Sequence, residues 1–272
     1  MCDVCVMNAV KDRMLSRRDF FRASAAVTAT AAVGGMVAAP AAMAAGHGGI
    51  VDMSHKLEEA FPTFFGVPGF KMEQAFNFAE SGFNLFNLSI NEHTGTHIDS
   101  PMHFSADGQS VDEIPVSNLV VPLCVVDIAA KAQDDADAQV TPDDLKAWIA
   151  TYGEIPDKAC IAMHSGWASK VGTDGFRNVG ADEKMHFPGF HVEAVQMLLE
   201  TAAGAIAVDT LSLDYGISGD FATHYAWLPQ NRYGIECLTG LDQVPASGAT
   251  LVVGAPNHKG GSGGPARIFA MV

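Results

Sequence analysis

The chain has 272 residues and carries 31 Asp or Glu against 16 Lys or Arg, a formal net charge of −15. Nucleic-acid binding needs a basic surface, so this balance argues against it. The 48% apolar content supports a sizeable core, and beyond the N-terminal segment no stretch is long and apolar enough to span a membrane.

The first segment reads as an address rather than as part of a fold. Ser16-Arg17-Arg18-Asp19-Phe20-Phe21-Arg22 has paired arginines followed by hydrophobic residues, like a twin-arginine export signal. An Ala-rich apolar run follows from Ala23 to Ala39, and Ala42-Met43-Ala44 offers the small residues a signal peptidase reads. Cleavage after Ala44 is expected, leaving residues 45–272 as one domain in the periplasm without stable membrane association. The segment holds five Lys or Arg and three Asp or Glu, so its removal leaves the rest more acidic. Cys2 and Cys5 form a CxxC that departs with it. Cys124, Cys160 and Cys237 lie in or beside apolar runs and read as buried free thiols.

Further along, short apolar runs predict buried strands at Val120–Ile128, Ala159–Met163, Ala205–Val208, Ala249–Val253 and Arg267–Val272. Pro142–Thr151 reads as a helix, with Thr141 as N-cap, Pro142 at its first position and Asp143 and Asp144 in its first turn. His191–Ala202 places Val192, Val195, Leu198 and Leu199 on one helical face. Helices alternating with strands indicate a mixed α/β domain. Lys259–Gly264 is glycine-rich but lacks a P-loop Lys-Ser/Thr and a following helix start, so it reads as a flexible loop. A G-x-S-x-G elbow is absent, which argues against Ser-His-Asp catalysis.

The densest chemistry lies at His93-Thr94-Gly95-Thr96-His97-Ile98-Asp99-Ser100-Pro101-Met102-His103. Neutral imidazoles with a carboxylate form a ligand set for Zn, Mn or Fe. In a strand, residues 93, 95, 97 and 99 share one face, with Gly95 leaving room for an ion or substrate. Pro101 then ends regular pairing and leaves His103 where strand gives way to loop. His103 can titrate near working pH, so it is either an acid/base group or another ligand.

This motif resembles the signature of the metal-dependent cyclase family, which includes bacterial kynurenine formamidases and isatin hydrolases. Val51–His55, Phe61–Gly66, Ser165-Gly166-Trp167, Val208–Asp214 and Gly263–Arg267 match that family in kind and order. The resemblance implies a compact swivelling β/β/α fold, usually homo-oligomeric. It also implies a binuclear site, with His93, His97 and Asp99 on one ion and Asp99, His224 and Glu236 on the other. It favours the acid/base role for His103. Phe64 stands where kynurenine formamidases usually carry a substrate-facing Trp. The expected function is hydrolysis of a non-peptide C–N bond in a small aromatic formamide, lactam or cyclic amide.

Asp209 or Asp214 reads either as orienting ligands from behind or as simply structural. His55 and His164 sit at strand ends, where a polar-network role is open. His47, His186, His191 and His258 read as peripheral. The Phe-rich stretch from Phe65 to Phe86 reads either as core or as the wall of an aromatic pocket. Lactone or ester hydrolysis, a cyclase/dehydratase reaction on the same ions, and metal binding without turnover are the competing functions.

Overall fold

The computed structural model describes residues 48–272; the expected signal segment, residues 1–44, lies outside them. The strands are β1 (Ile50–Asp52), β2 (Phe70–Phe76), β3 (Leu85–Ile90), β4 (His97–Asp99), β5 (Val120–Asp127), β6 (Gln139–Val140), β7 (Cys160–His164), β8 (Gly189–Phe190), β9 (Ala205–Val208), β10 (Tyr233–Glu236), β11 (Ala249–Gly254), β12 (Gly263–Pro265) and β13 (Arg267–Met271). The helices are α1 (Phe78–Ser81), α2 (Ala129–Asp134), α3 (Pro142–Tyr152), α4 (Val192–Leu199) and α5 (Ala222–Trp227). The five strands and two helices expected from the sequence are all present, with ends shifted by no more than three residues.

Nine strands form one mixed sheet in the order β1-β13-β11-β5-β7-β9-β10-β4-β12. The central β5, β7, β9 and β10 run parallel, and antiparallel strands flank them on both sides. The parallel strands read as continuous apolar runs because they are buried on both faces. Along β7, Cys160 and Ala162 enter one core cluster, while Ile161 and Met163 enter a second one, as the two-residue period of a strand requires.

The second cluster sits under the helices. Leu145 and Trp148 of α3, Val195 and Leu198 of α4, and Trp227 of α5 pack there against Val126, Ile206 and Val208. Each fully buried Ile, Leu or Val of this kind contributes about 1.5–3 kcal/mol. The first cluster is built mostly from strands and takes residues from both ends of the sheet, Ile98 from one and Leu251, Ile268 and Ala270 from the other. The sheet curls to bring these residues together. Ser54, just after β1, bridges Leu238, just after β10, and Thr239 N–H donates to Met53 O at 3.1 Å. The curl brings the chain after β1 beside the end of β10, close to the residues of β4.

The start of α3 follows from its sequence. Thr141 N–H and Oγ1 donate to Asp144 Oδ2 at 2.8 and 2.7 Å, tying the N-cap residue to the first turn. Asp144 also receives the Lys131 ammonium. Cys124, Cys160 and Cys237 are buried and free, as expected.

The Phe-rich stretch meets neither expectation over most of its length. Among the described residues β2 and β3 pair only with each other, as a hairpin, and every residue of β3 is exposed. Met72, Phe76, Phe78, Phe83, Phe86 and Leu88 are each 44–67% exposed.

Candidate metal centre

Gly95 shapes the entry to the centre, though not as the strand reading expected. β4 begins only at His97, and residues 93–96 form a bend. Gly95 has φ +70, a left-handed backbone that favours glycine. A Cβ there would meet Leu57 Cδ1 at 2.9 Å. The glycine therefore makes the bend and accommodates Leu57; it does not leave a vacancy on the ligand face. The bend brings His93 back beside the strand, with Nδ1 at 2.7 Å from Asp99 Oδ1.

β4 and β10 are antiparallel neighbours, with Glu236 opposite His97 and Gly234 opposite Asp99. This register carries the remote glutamate to the motif. His97 Nε2 lies 3.3 Å from Asp99 Oδ1 and 3.3 Å from Glu236 Oε2. α5 supplies His224, whose Nε2 lies 3.2 Å from Glu236 Oε1 and 3.8 Å from Asp99 Oδ2. All five expected ligands, His93, His97, Asp99, His224 and Glu236, therefore meet around Asp99. The short 3₁₀ turn Pro101–Phe104 brings in His103, whose ring stacks on His93 with centroids 3.8 Å apart. Ligand atoms that could share an ion group as His93, Asp99 and His103, and as His97, Asp99 and Glu236. Geometry alone thus keeps His103 within reach as a ligand.

The hydrogen-bond partners fix which imidazole nitrogen faces inward. His97 Nδ1 lies 2.8 Å from Gly95 O, which can only accept, so Nδ1 carries the proton. His224 Nδ1 donates to Asp214 Oδ2 at 2.6 Å. The same carboxylate accepts Thr223 N–H at 2.8 Å and His224 N–H at 3.2 Å, capping the first turn of α5. Asp214 therefore takes the orienting role expected of it or Asp209. Asp209 instead accepts from the Ser165 hydroxyl and the Ser165 and Trp167 amides, and burial raises its pKa against those bonds.

In the neutral state, the inward Nε2 atoms of His97 and His224 are lone-pair acceptors facing carboxylate acceptors. Among the described residues, His97 Nε2 and Asp99 Oδ2 are buried without a hydrogen-bond partner. Acceptors crowded in this way require positive charge among them, either protons or a cation. In the cation-free protein protons fill that role. Burial disfavours imidazolium, but Asp99 and Glu236 outweigh it and push the His97 pKa up to about 10. His224 is raised well above its ordinary value, burial being outweighed by Asp214, Asp99 and Glu236. Asp99 is held well below the usual carboxylate range, its own burial outweighed by His224, His93 and His97. Imidazole and carboxylate donors at this spacing fit a Zn, Mn or Fe ion.

An apolar cavity of about 350 Å³ opens onto this floor. Phe64 lines it, as expected, and so do Phe65, Val67, Phe104 and Phe221. Phe221 has a left-handed backbone, φ 50, at the start of α5, and its ring lies 5.8 Å from Phe64 and 5.5 Å from Phe104. Phe104 directly follows His103 at the end of the family motif, whereas Phe221 had no sequence signal beyond lying three residues before His224. Thr94 Oγ1, on the cavity wall, is buried and unpartnered. Neither His55 nor His164 lines the cavity; the His55 ring packs on Phe61 and His164 faces Asp127 at 3.4 Å.

The chain belongs to the cyclase family: the family model described as "Putative cyclase" matches residues 51–215. A twin-arginine translocation signal matches residues 14–34 and marks the chain for export to the periplasm. The isatin hydrolase of Roseibium aggregatum is 32% identical over 195 residues, 68% of this chain and 73% of that protein. The kynurenine formamidase of Salinibacter ruber is 34% identical over 114 residues, 35% of this chain and 53% of that protein. Isatin hydrolase A from Labrenzia aggregata, solved with benzyl benzoate, superposes with a TM-score of 0.78 at 34% identity, covering 85% of this chain and 96% of that one. The fold is therefore that of the cyclase family, a mixed α/β domain with a curled sheet.

The His97 shift has a measurable consequence. Its folded pKa lies above the unfolded value of 6.5, so its stabilisation is complete below about pH 6.5 and lost as pH rises through about 10. The melting temperature of cation-free protein is expected to fall across that window, and saturating divalent cation to abolish the fall. An apo melting temperature independent of pH there would contradict the assignment.

Proposed function

We propose that the protein is a periplasmic metal-dependent hydrolase that cleaves the C–N bond of a small aromatic lactam or formamide. The observation that carries this reading is the junction of an imidazole–carboxylate floor with a cavity walled by Phe64, Phe104 and Phe221. Planar rings stack on aromatic faces, and the floor sits where a bound amide carbonyl would lie. The names of the relatives, isatin hydrolase and kynurenine formamidase, support an amide of this size. The catalytic domain in this reading is residues 45–272, released by cleavage after Ala44.

His93, His97 and Asp99 would hold one divalent cation, and Asp99, His224 and Glu236 would hold a second. Such ions lower the pKa of water toward about 7 and polarise a carbonyl. Zn, Mn or Fe suits the donors. In the cation-free protein burial pushes the His103 pKa down to about 4 against the pull of Asp99. In this reading a neutral His103 acts first as base. It takes a proton from the attacking water as the C–O bond forms. It returns that proton to the nitrogen as the C–N bond breaks, leaving a carboxylic acid and an amine.

His103→Ala is expected to lower kcat for isatin or N-formylkynurenine by about 10²–10⁴-fold with metal content unchanged. Unchanged turnover would remove His103 from the mechanism. Turnover of lactones with neither amide would contradict the substrate class.

The hairpin supports a homo-oligomer. Eight of its large apolar side chains are 41–67% exposed. At roughly 200 Å² per side chain, they present about 800 Å² per chain, one partner's share of a standard interface. A second copy of the chain is the proposed occupant. Phe78→Asp with Leu88→Asp is expected to convert the oligomer to monomer in sedimentation analysis, and a parent that sediments as a monomer would refute the assignment.

A further inference from the structure

The glycine-rich segment after His258 is a loop over residues 259–262, as expected, but its end joins the sheet. Gly263–Pro265 forms β12 and pairs with β4, Gly263 opposite Asp99. Ser262 O accepts Ser100 N–H at 2.9 Å, and Gly261 O accepts Val111 N–H at 2.9 Å. Two of its glycines lie against neighbours that leave no room for a side chain. A Cβ at Gly261 would meet the His258 ring and Glu92 Oε1, and one at Gly263 would meet the backbone carbonyl of Ile98 and then His93 Cε1 at 2.9 Å. The segment is shaped around a line of polar side chains.

That line begins at His93, whose Nε2 lies 3.0 Å from Ser262 Oγ. Ser262 Oγ donates to Glu92 Oε2 at 2.6 Å, and Ser262 N–H donates to the same oxygen at 3.2 Å. The other carboxylate oxygen of Glu92 lies 2.6 Å from His258 Nε2. A serine hydroxyl has one proton. Because it is given to Glu92, Ser262 must accept from His93 Nε2. The proton of neutral His93 therefore sits on Nε2, and the lone pair on Nδ1 faces Asp99.

We propose that Glu92, Ser262 and His258 form a positioning relay that sets the tautomer and ring direction of His93, presenting Nδ1 as a metal ligand. This rests on the metal-site reading above. The relay does for His93 what Gly95 O does for His97 and Asp214 for His224. It differs in reaching the surface, where His258 is about half exposed. Ser262 and Glu92 are positioning residues because they act only through His93. Partners of this kind typically carry 10–100-fold of metal affinity.

The test is chelator competition for Mn²⁺ on Ser262→Ala, Glu92→Gln and Ser262→Thr, with melting curves of each cation-free protein. Ser262→Ala is expected to weaken Mn²⁺ binding by about 10–100-fold, with its cation-free melting temperature close to the parent's. Glu92→Gln should weaken binding less, and Ser262→Thr, which keeps the hydroxyl, should restore it. Parent-like Mn²⁺ affinity in both Ser262→Ala and Glu92→Gln would overturn the relay while leaving the metal site intact. A lowered cation-free melting temperature at parent affinity would make Ser262 merely structural and equally overturn it. A parent that takes up no divalent ion would overturn the metal reading and the relay together.

Discussion

The arrangement depends on one electrostatic constraint: lone pairs and carboxylate oxygens buried together need positive charge between them. His97 and His224 have their outward nitrogens committed to acceptors, so their inward nitrogens face Asp99 and Glu236 as acceptors. Burial makes the mismatch costly. Protons answer it in the cation-free protein, as the raised pKa values of His97 and His224 express. A divalent cation answers it with more charge, and its binding therefore releases protons.

The fold meets the constraint by convergence from separate elements. β4 contributes His97 and Asp99, and β10 places Glu236 opposite His97 by register. α5 delivers His224, capped and oriented by Asp214. β12 lies on the other side of β4, beside the His93 ring. Part of the cavity wall comes from residues near these groups in sequence, Phe104 beside His103 and Phe221 three residues before His224, and part from Phe64 on a separate loop.

Much of this was legible in the sequence because strong local signals carried it. The parallel strands announced themselves as apolar runs, and α3 by its Thr141-Pro142 start. The His93–His103 motif named four of the six central side chains, and the family resemblance supplied His224 and Glu236. Sequence pattern failed where the outcome depended on tertiary placement. His93 reaches Asp99 through a bend that Gly95 permits, which strand periodicity does not anticipate. The Phe-rich stretch has the composition of a core, but only the fold reveals that its hairpin pairs with nothing else among the described residues. Ser262 and His258 looked peripheral because their partner, Glu92, lies about 170 positions away along the chain.

Anomalous diffraction from a crystal of residues 45–272 grown with Mn²⁺ tests the central claim most directly. The account predicts anomalous density at Asp99, contacted by the inward nitrogens of His93 and His97, with further density toward His224 and Glu236. No anomalous density, with His97 and His224 bonded directly to the carboxylates as imidazolium ions, would contradict it.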